Sequence, residues 1–272
     1  MNTIDRKYNT LKQILGELPS AVIAFSGGVD STFLLGTAKK ILPDNLLALT
    51  FKADIIPSSE IKQAISLAAS LKVKHLIIDT DILSHHPFII NDPNRCYVCK
   101  KLIFSEIVRI AQARNLQYIL EGSNADDAQD YRPGRKVLRE MNILSPLAQA
   151  GLTKKEIRTL SRKMGLPTWD KPALACLATR IPYGTVITKD KIKRIDHCEK
   201  YLHNQGFTQV RVRDHGSLAR LEIPKSEIKK LLNQKISSSV VKEFKNQGFT
   251  YICTDLEGYR SGSMNEGIKD AK

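Results

Sequence analysis

Short apolar segments alternate with longer amphipathic segments along the first 168 residues. Runs of consecutive apolar positions predict strands that are buried on both faces, over residues 21–25, 46–51, 75–79 and 118–121. The amphipathic segments between them predict helices over residues 31–41, 59–71 and 100–115. A further helix start is predicted where Thr153 precedes Glu156 by three residues, the spacing of a capping box. This alternation predicts an α/β fold with a doubly wound parallel sheet and right-handed crossovers.

The pattern changes after residue 168. Residues 169–188 are punctuated by Pro172, Pro182 and Gly184, which indicates an ordered connecting loop rather than a flexible spacer. Residues 189–272 predict a smaller C-terminal α+β domain, in which we expect substrate binding or subunit assembly. Its predicted elements are a helix over 189–204, strands over 209–213 and 219–223, helical segments over 225–246 and a strand over 251–254.

The chain is basic, with 42 Lys and Arg residues against 28 Asp and Glu residues and a formal net charge of +14. This excess indicates an anionic partner such as a nucleotide, a phosphorylated metabolite or RNA, and charge alone does not choose among them. The basic residues are spread along the chain without an Arg- or Lys-rich tail, so we do not expect a nucleic-acid partner. No apolar run approaches the roughly 18 residues of a membrane helix, and residues 1–6 lack the layout of a secretory signal. We therefore expect a cytoplasmic protein without a membrane partner.

The sequence Ser-Gly-Gly-Val-Asp-Ser at residues 26–31 lies between a predicted strand and a predicted helix. Glycines let the backbone approach an anion closely, and the free N–H groups at a helix start add positive potential. We expect these residues to form a phosphate site, with ligand contacts from Ser26, Gly27, Gly28, Asp30 and Ser31. Asp30 suits such a site if it holds Mg²⁺ or caps the turn. Neither the Walker A pattern nor GxGxxG is present, and the alternative is a glycine-containing turn without a ligand.

Two polar segments follow the last predicted strand of the first domain, at residues 121–127 and 130–135. The carboxyl ends of parallel strands share one edge of a sheet, so we expect both segments beside the phosphate site. Asp126 is a candidate for binding Mg²⁺ with ATP, and Arg132 is a candidate partner for a phosphate or a carboxylate. The alternative is a polar turn whose Asn and Asp side chains cap the backbone.

The five cysteines, an odd number in a chain without an export signal, argue against a disulfide framework. Cys96 and Cys99 form a CxxC pair at the start of a helix, a spacing that fits a metal ion, a cluster or redox exchange. Cys176 lies in the connecting loop, far away in sequence. Cys198 and Cys253 are expected to be buried small hydrophobic residues.

The segment at residues 26–31 resembles the PP-loop of the N-type ATP pyrophosphatases. In that superfamily the loop holds the pyrophosphate of ATP while the α-phosphate is transferred to a substrate oxygen. The resemblance implies an enzyme with an adenine nucleotide alpha-hydrolase-like domain over residues 1–168, with ATP and Mg²⁺ as its ligands. It also implies AMP transfer with release of pyrophosphate.

Further motifs resemble the LarE family, and together with the PP-loop they span nearly the whole chain. They are DYRPG at 130–134, KPALAC at 171–176, RIPYGT at 180–185, RVR at 211–213 and GYRSG at 258–262. LarE proteins are sulfur transferases in the synthesis of the nickel-pincer nucleotide cofactor. The resemblance implies that the carboxylates of a pyridinium-3,5-dicarboxylate mononucleotide are adenylylated and then converted to thiocarboxylates.

The resemblance also implies how the sulfur is supplied. In one style of LarE protein a single cysteine gives up its own sulfur, and an ungapped match over residues 171–180 places Ala175 at that position. In the other style three cysteines hold a [4Fe-4S] cluster that passes on sulfide from an outside source, which implies Cys96, Cys99 and Cys176 as cluster ligands here. The alternatives are three unrelated buried cysteines, a structural zinc ion with His85, His86 or His197 as its fourth ligand, or no metal with Cys176 as the sulfur donor.

Five other residues receive roles through the resemblance and their positions. Arg180 and Lys100 are candidates for stabilising the anionic adenylate. Arg211 and Arg213 alternate on a predicted strand and therefore share one face, which suits the phosphate of the mononucleotide. Glu199 matches a family position near the substrate. The alternative for each of them is an ordinary solvated side chain.

Three other functions fit parts of the sequence. A tRNA-thiolating PP-loop enzyme shares ATP and the cluster, and it would bind tRNA strongly and in a salt-sensitive way. An ammonia-using PP-loop synthetase does not need the three cysteines. A nucleotide-binding regulatory module binds ATP without releasing pyrophosphate. PP-loop enzymes often assemble, so we expect a homo-oligomer.

Overall fold

A computed structural model describes residues 2–129, 134–172, 175–260 and 263. The chain divides into two compact units. The first consists of Met1–Thr80 and Cys96–Leu174, and the second of Asp81–Arg95 and Ala175–Lys272. The domain boundaries at residues 168 and 188 stay predictions.

The described α-helices are α1 Thr3–Gly16, α2 Val29–Ile41, α3 Ser58–Ser70, α4 His86–Ile89, α5 Arg95–Ala113, α6 Gly134–Glu140, α7 Pro146–Gln149, α8 Lys154–Lys163, α9 Lys189–Asn204, α10 Ile228–Leu231 and α11 Gln234–Asn246. The strands are β1 Ala21–Ala24, β2 Leu46–Lys52, β3 Lys74–Asp79, β4 Tyr118–Leu120, β5 Arg211–His215, β6 Leu218–Glu222 and β7 Tyr251–Thr254. Short 3₁₀ helices cover Ile82–Ser84, Asp126–Gln129, Leu177–Arg180 and Lys225–Glu227.

The first unit contains a parallel sheet with the strand order β3-β2-β1-β4. Its central strand β1 sends Ala21 and Ile23 into one apolar core and Val22 into another, because successive side chains alternate across a sheet. The first core is formed with α1, α2, α3, α7 and α8, and the second with α5 and α6. Helices therefore cover both faces, and the predicted doubly wound α/β fold is confirmed.

The second unit contains a three-stranded sheet, in which β5 pairs antiparallel with β6 and β6 pairs parallel with β7. Its core is formed with α9 and α11 around Leu202, Val212 and Phe244. The segment 81–95 belongs to this unit through Asn91, a buried residue with a φ of 60°. The Asn91 amide donates to the carbonyls of Ile181, Pro182 and Thr185, at 3.2, 2.7 and 3.0 Å. The smaller α+β domain predicted from sequence is thus present with an additional segment.

Most predicted elements are confirmed to within two residues at each end. Helix α5 begins at Arg95, five positions before the predicted start, so it includes the CxxC pair. The predicted helical span 225–246 is interrupted at Leu232 and Asn233, and Asn233 caps α11. Cys198 is buried as expected, whereas the expectation for Cys253 is wrong because it lies exposed on the edge strand β7.

Within the described part of the chain, no helix combines the length and apolar character needed to cross a membrane.

The capping box at the start of α8 gives a stability prediction. The Glu156 N–H donates to Thr153 Oγ1 at 3.3 Å, and the Thr153 N–H donates to Glu156 Oε2 at 2.9 Å. We expect Thr153→Ala to lower the free energy of unfolding by about 1 kcal/mol, because two backbone donors at the helix start depend on this motif. Urea denaturation followed by circular dichroism measures the loss. The matched control is Thr159→Ala, an exposed position in the same helix, and an equal loss in both variants would contradict the prediction.

Candidate functional site

The segment 26–31 forms the turn between β1 and α2. The hydroxyls of Ser26 and Ser31 lie 3.1 Å apart, and Ser31 Oγ accepts from the Ser26 N–H and donates to the Gly28 carbonyl, both at 3.3 Å. Gly28 is the N-cap of α2, and none of the described side chains caps this helix start. The first N–H groups of α2 and two hydroxyls therefore lie at one turn, an arrangement that binds phosphate oxygens.

Two glycines are required by the space around this turn. Gly27 has a φ of 68°, and a Cβ there would lie 3.2 Å from the Cα and Cβ of Ala64 in α3. A Cβ at Gly122 would lie 3.1 Å from the backbone nitrogen of Ser31. The segment after β4 therefore packs directly against the turn, as the sequence predicted from the shared edge of the sheet.

Asp30, in the first turn of α2, is a buried carboxylate. Its Oδ2 accepts from Lys154 Nζ at 2.5 Å, whereas Oδ1 is buried without a hydrogen bond of good geometry among the described residues, although the Asn124 side chain lies near enough to lower the pKa of the carboxylate. Burial raises the pKa of Asp30 above its usual value, and the charge of Lys154 opposes that rise. A cation at Oδ1 would satisfy the orphaned oxygen, so the residue fits a Mg²⁺ ion that also binds the ATP phosphates. Such an ion needs only one or two protein carboxylates.

The polar segment after β4 is largely satisfied by its own hydrogen bonds. The buried Glu121 accepts from Ser123 Oγ at 2.8 Å and from Ser145 Oγ at 2.5 Å. Asp126 Oδ2 accepts from the Lys154 N–H at 2.8 Å, so this carboxylate supports the start of α8. These contacts agree with the alternative of a mutually satisfied turn for part of the segment. The Mg²⁺ role of Asp126 stays a prediction.

The outcomes for Arg132 and Lys100 differ. Arg132 falls outside the described residues. The Lys100 side chain packs closely against Gly134, where an added Cβ would lie 2.7 Å from Lys100 Cδ. The role of Lys100 at an anionic adenylate stays a prediction.

Lys171 is a residue of the site that sequence reasoning missed. Its Nζ donates to the Gly27 carbonyl at 3.0 Å, to Glu60 Oε2 at 2.7 Å and to Gln63 Oε1 at 2.5 Å. The C=O and the following N–H of a trans peptide point in opposite directions, so holding the Gly27 carbonyl also orients the Gly28 N–H. The available signal was the position of Lys171 at the start of the KPALAC motif.

The cysteines with predicted roles occupy two helix starts. Cys96 and Cys99 lie in the first turn of α5, three residues apart and therefore on one side of the helix. Cys96 is exposed and Cys99 is partly buried. Cys176 belongs to the second unit, where it precedes the 3₁₀ helix Leu177–Arg180.

Thiolates are the usual ligands of iron–sulfur clusters. Among the described side chains, however, no group of three or more His, Cys, Asp or Glu residues is arranged to hold a metal ion. All five cysteines are described, and none forms a disulfide. Burial raises the pKa of Cys198 to about 12, so this thiol stays protonated and packs in the apolar core of the second unit. The three-cysteine cluster therefore stays a prediction.

Arg180 and Glu199 form a buried ion pair in the second unit. Arg180 is 1% exposed, and its Nε and Nη2 donate to the two carboxylate oxygens of Glu199, both at 2.9 Å. Its Nη1 donates to the carbonyls of Ala175 and Cys176 at 2.8 and 3.1 Å. Arg180 therefore holds the two peptides that flank Cys176.

Arg211 and Arg213 are both buried on β5. Arg213 donates to Glu222 through Nε at 2.9 Å and through Nη2 at 2.7 Å, and its Nη1 donates to the Thr179 carbonyl at 2.7 Å. The Arg211 guanidinium lies 5.3 Å from the ring centroid of Tyr259. Burial lowers the pKa of Arg211, and the charge of Arg180 lowers it further. The charge of Glu199, which pairs with Arg180, opposes this fall in the pKa of Arg211.

Comparisons with known proteins agree with this geometry. The family model of "Queuosine biosynthesis protein QueC" matches residues 20–87, which contain the turn and the first three strands. The pyridinium-3,5-bisthiocarboxylic acid mononucleotide synthase of Lactiplantibacillus plantarum is 36% identical over 273 residues, covering 100% of this chain and 98% of that protein. An uncharacterized protein of Synechocystis sp. is 38% identical over 262 residues, covering 96% of this chain and 98% of that protein. The 7-cyano-7-deazaguanine synthase of Staphylococcus haemolyticus is 30% identical over 143 residues, or 47% of this chain and 64% of that enzyme.

The parallel sheet and the SGGVDS turn define a PP-loop protein, a class of ATP-using enzymes. Similarity to the Lactiplantibacillus synthase extends over the whole chain. The chain therefore belongs to the LarE family, and the resemblance seen in the motifs is confirmed.

The contact between Lys171 and the PP-loop gives the second prediction. We expect Lys171→Met to weaken ATP binding about tenfold, because the Gly27 peptide loses the charge-assisted bond that orients it. Isothermal titration calorimetry with ATP and Mg²⁺ measures the affinity. Lys62→Met, at an exposed position in α3, is the matched control and should bind ATP as the unchanged protein does. Equal affinity in the two variants would show that Lys171 does not position the loop.

Proposed function

We propose that the protein is an ATP-dependent sulfur transferase of nickel-pincer nucleotide cofactor synthesis. In this proposal it adenylylates the carboxylates of a pyridinium-3,5-dicarboxylate mononucleotide, releases pyrophosphate and converts the carboxylates to thiocarboxylates. The observation that carries its ATP-dependent step is the PP-loop with its uncapped helix start and the buried Asp30 carboxylate. The substrate is suggested by the name of the full-length relative from Lactiplantibacillus plantarum.

In the first step the PP-loop binds the pyrophosphate portion of ATP. The N–H groups of Gly27 and Gly28 and the hydroxyls of Ser26 and Ser31 donate to the β- and γ-phosphates, and Asp30 binds Mg²⁺. A substrate carboxylate oxygen forms a bond to the α-phosphorus. The bond from that phosphorus to the bridging oxygen breaks, and pyrophosphate leaves with the electron pair. The product of this step is an acyl-adenylate.

Groups that neutralise charge support this step. Asp126 would help to hold the Mg²⁺ ion, and Arg132 and Lys100 would stabilise the anionic phosphates. We assign the mononucleotide phosphate to Arg211 and Arg213, which occupy alternate positions of β5. The bonds from Arg213 to Glu222 hold its guanidinium in a fixed orientation. We place Glu199 near the substrate, where its ion pair with Arg180 holds its carboxylate in position.

In the second step a sulfur nucleophile attacks the acyl carbon, the bond to the AMP oxygen breaks, and AMP leaves. We propose that Cys96, Cys99 and Cys176 are the thiolate ligands of a [4Fe-4S] cluster. These three thiolates would hold the cluster, and the cluster would supply sulfide from an outside source for the attack. Arg180 positions Cys176 for this role, because it binds the carbonyls of Ala175 and Cys176. Zinc at the same cysteines, or sulfur donated by Cys176 itself, are the competing proposals.

The metal content tests the cluster directly. Protein purified without oxygen is expected to contain about four irons and four sulfides per chain, because three thiolates suffice to bind a cubane cluster. Cys96→Ser should lose this iron. Cys253→Ser is the matched control, since Cys253 is also exposed but lies on β7 outside the proposed ligand set. One zinc per chain without iron, or iron retained in Cys96→Ser, would contradict the cluster.

The division into two chemical steps gives a separate prediction. We expect Cys176→Ala to lose sulfur transfer while substrate-dependent pyrophosphate release stays within about twofold, because adenylylation needs only the PP-loop. Pyrophosphate release and thiocarboxylate formation are measured on the same samples, with Cys253→Ala as control. Unchanged sulfur transfer would exclude Cys176 from the reaction. Pyrophosphate release that depends on tRNA or ammonia, and not on the mononucleotide, would replace the proposed substrate.

A further inference from the structure

A basic cavity lies on the exposed side of α8. It has a volume of about 430 Å³ and is lined by Lys155, Arg158, Thr159, Arg162, Lys163 and Trp169. We call it the α8 pocket. All of its lining residues belong to the first unit, and none of them has a role in the proposed reaction.

The α8 pocket concentrates positive charge without an offsetting carboxylate in its lining. Four of its six lining residues are Lys or Arg, and the five that belong to α8 share one side of the helix. The acidic residue of α8, Glu156, is engaged elsewhere, in the capping box and in an ion pair with Lys7 at 2.8 Å. Arg158 and Arg162, four residues apart, repel each other along the helix. An anionic ligand would relieve this repulsion.

The remaining wall of the pocket is aromatic. Trp169 is exposed and is the single tryptophan of the chain. The Arg162 guanidinium lies 4.9 Å from its ring centroid, and Arg158 Nη1 donates to the Trp169 carbonyl at 3.0 Å. Arg162 therefore contacts the indole, and Arg158 holds the backbone of Trp169 against the helix. A planar apolar surface beside several cations suits a ligand that carries both a ring and a phosphate.

The size of the pocket favours a small ligand over a nucleic acid. A volume of about 430 Å³ falls in the range of small-molecule sites. The basic stripe from Lys155 to Lys163 spans eight helical steps, or about 12 Å, which is short for a strand-binding groove of several nucleotides. We propose that the α8 pocket binds a mononucleotide, with its phosphate on the Lys and Arg side chains and its base against Trp169. This site is separate from the PP-loop and does not depend on the proposed reaction.

Tryptophan fluorescence tests the proposal, because the single tryptophan lines the pocket. Titration of the full chain with AMP is expected to give a saturable fluorescence change. The double variant Lys155→Gln, Lys163→Gln removes two charges and keeps the contact between Arg162 and Trp169, and it should bind AMP about tenfold more weakly. Arg158 is left unchanged because its Nη2 also donates to the carbonyl of Lys171, which holds the PP-loop. The control is Lys229→Gln, Lys235→Gln, at exposed positions of the second unit.

Four outcomes would overturn the proposal. They are no saturable change with AMP, equal AMP affinity in the two double variants, inorganic phosphate binding as tightly as AMP, and an RNA oligonucleotide binding more tightly than AMP with a steep salt dependence. The second outcome would place the AMP signal at the PP-loop. The third would remove the role of the ring, and the fourth would make the pocket part of an RNA surface. A selective loss of AMP affinity in the pocket variant supports the site.

Discussion

The active region depends on the backbone turn between β1 and α2. Gly27 adopts a φ of 68° against Ala64 of α3, and its carbonyl is held by Lys171. This conformation leaves the first N–H groups of α2 uncapped by the described side chains. A side chain at Gly27 would be strained by both the dihedral angle and the nearby helix. The proposed phosphate site therefore depends on the Gly27 peptide, whose orientation is fixed by the packing against Ala64 and by the bond from Lys171.

The second unit uses buried ion pairs for a different purpose. Arg180 with Glu199 and Arg213 with Glu222 are removed from water, and desolvation offsets much of the attraction within each pair. Their hydrogen bonds to the Cys176 and Thr179 carbonyls instead fix the backbone of the loop that carries Cys176. These pairs therefore hold the backbone around and after Cys176. That role agrees with the proposed function, in which Cys176 must hold one geometry through the reaction.

The PP-loop is shared with relatives that make different products. The matched family model ends at residue 87, and the relative named 7-cyano-7-deazaguanine synthase covers 47% of this chain. The Lactiplantibacillus synthase, in contrast, matches from end to end. The loop therefore accounts for the use of ATP, while substrate choice must come from residues beyond it. In the proposed function, the buried arginines of β5 and the cysteine-bearing loop are the features of this chain that recognise the substrate.

The sequence by itself determined the parallel strands, the capped start of α8 and the position of the PP-loop, because each is a local pattern of burial or hydrogen bonding. Its motifs also indicated the family. Only the tertiary structure decided which distant groups meet. Lys171 contacts Gly27, which lies 144 positions away in the sequence. Cys253 is exposed because β7 lies at the edge of its sheet. The α8 pocket likewise requires Trp169 to pack back onto the helix. Such pairings depend on how whole elements pack, and a local pattern does not encode them.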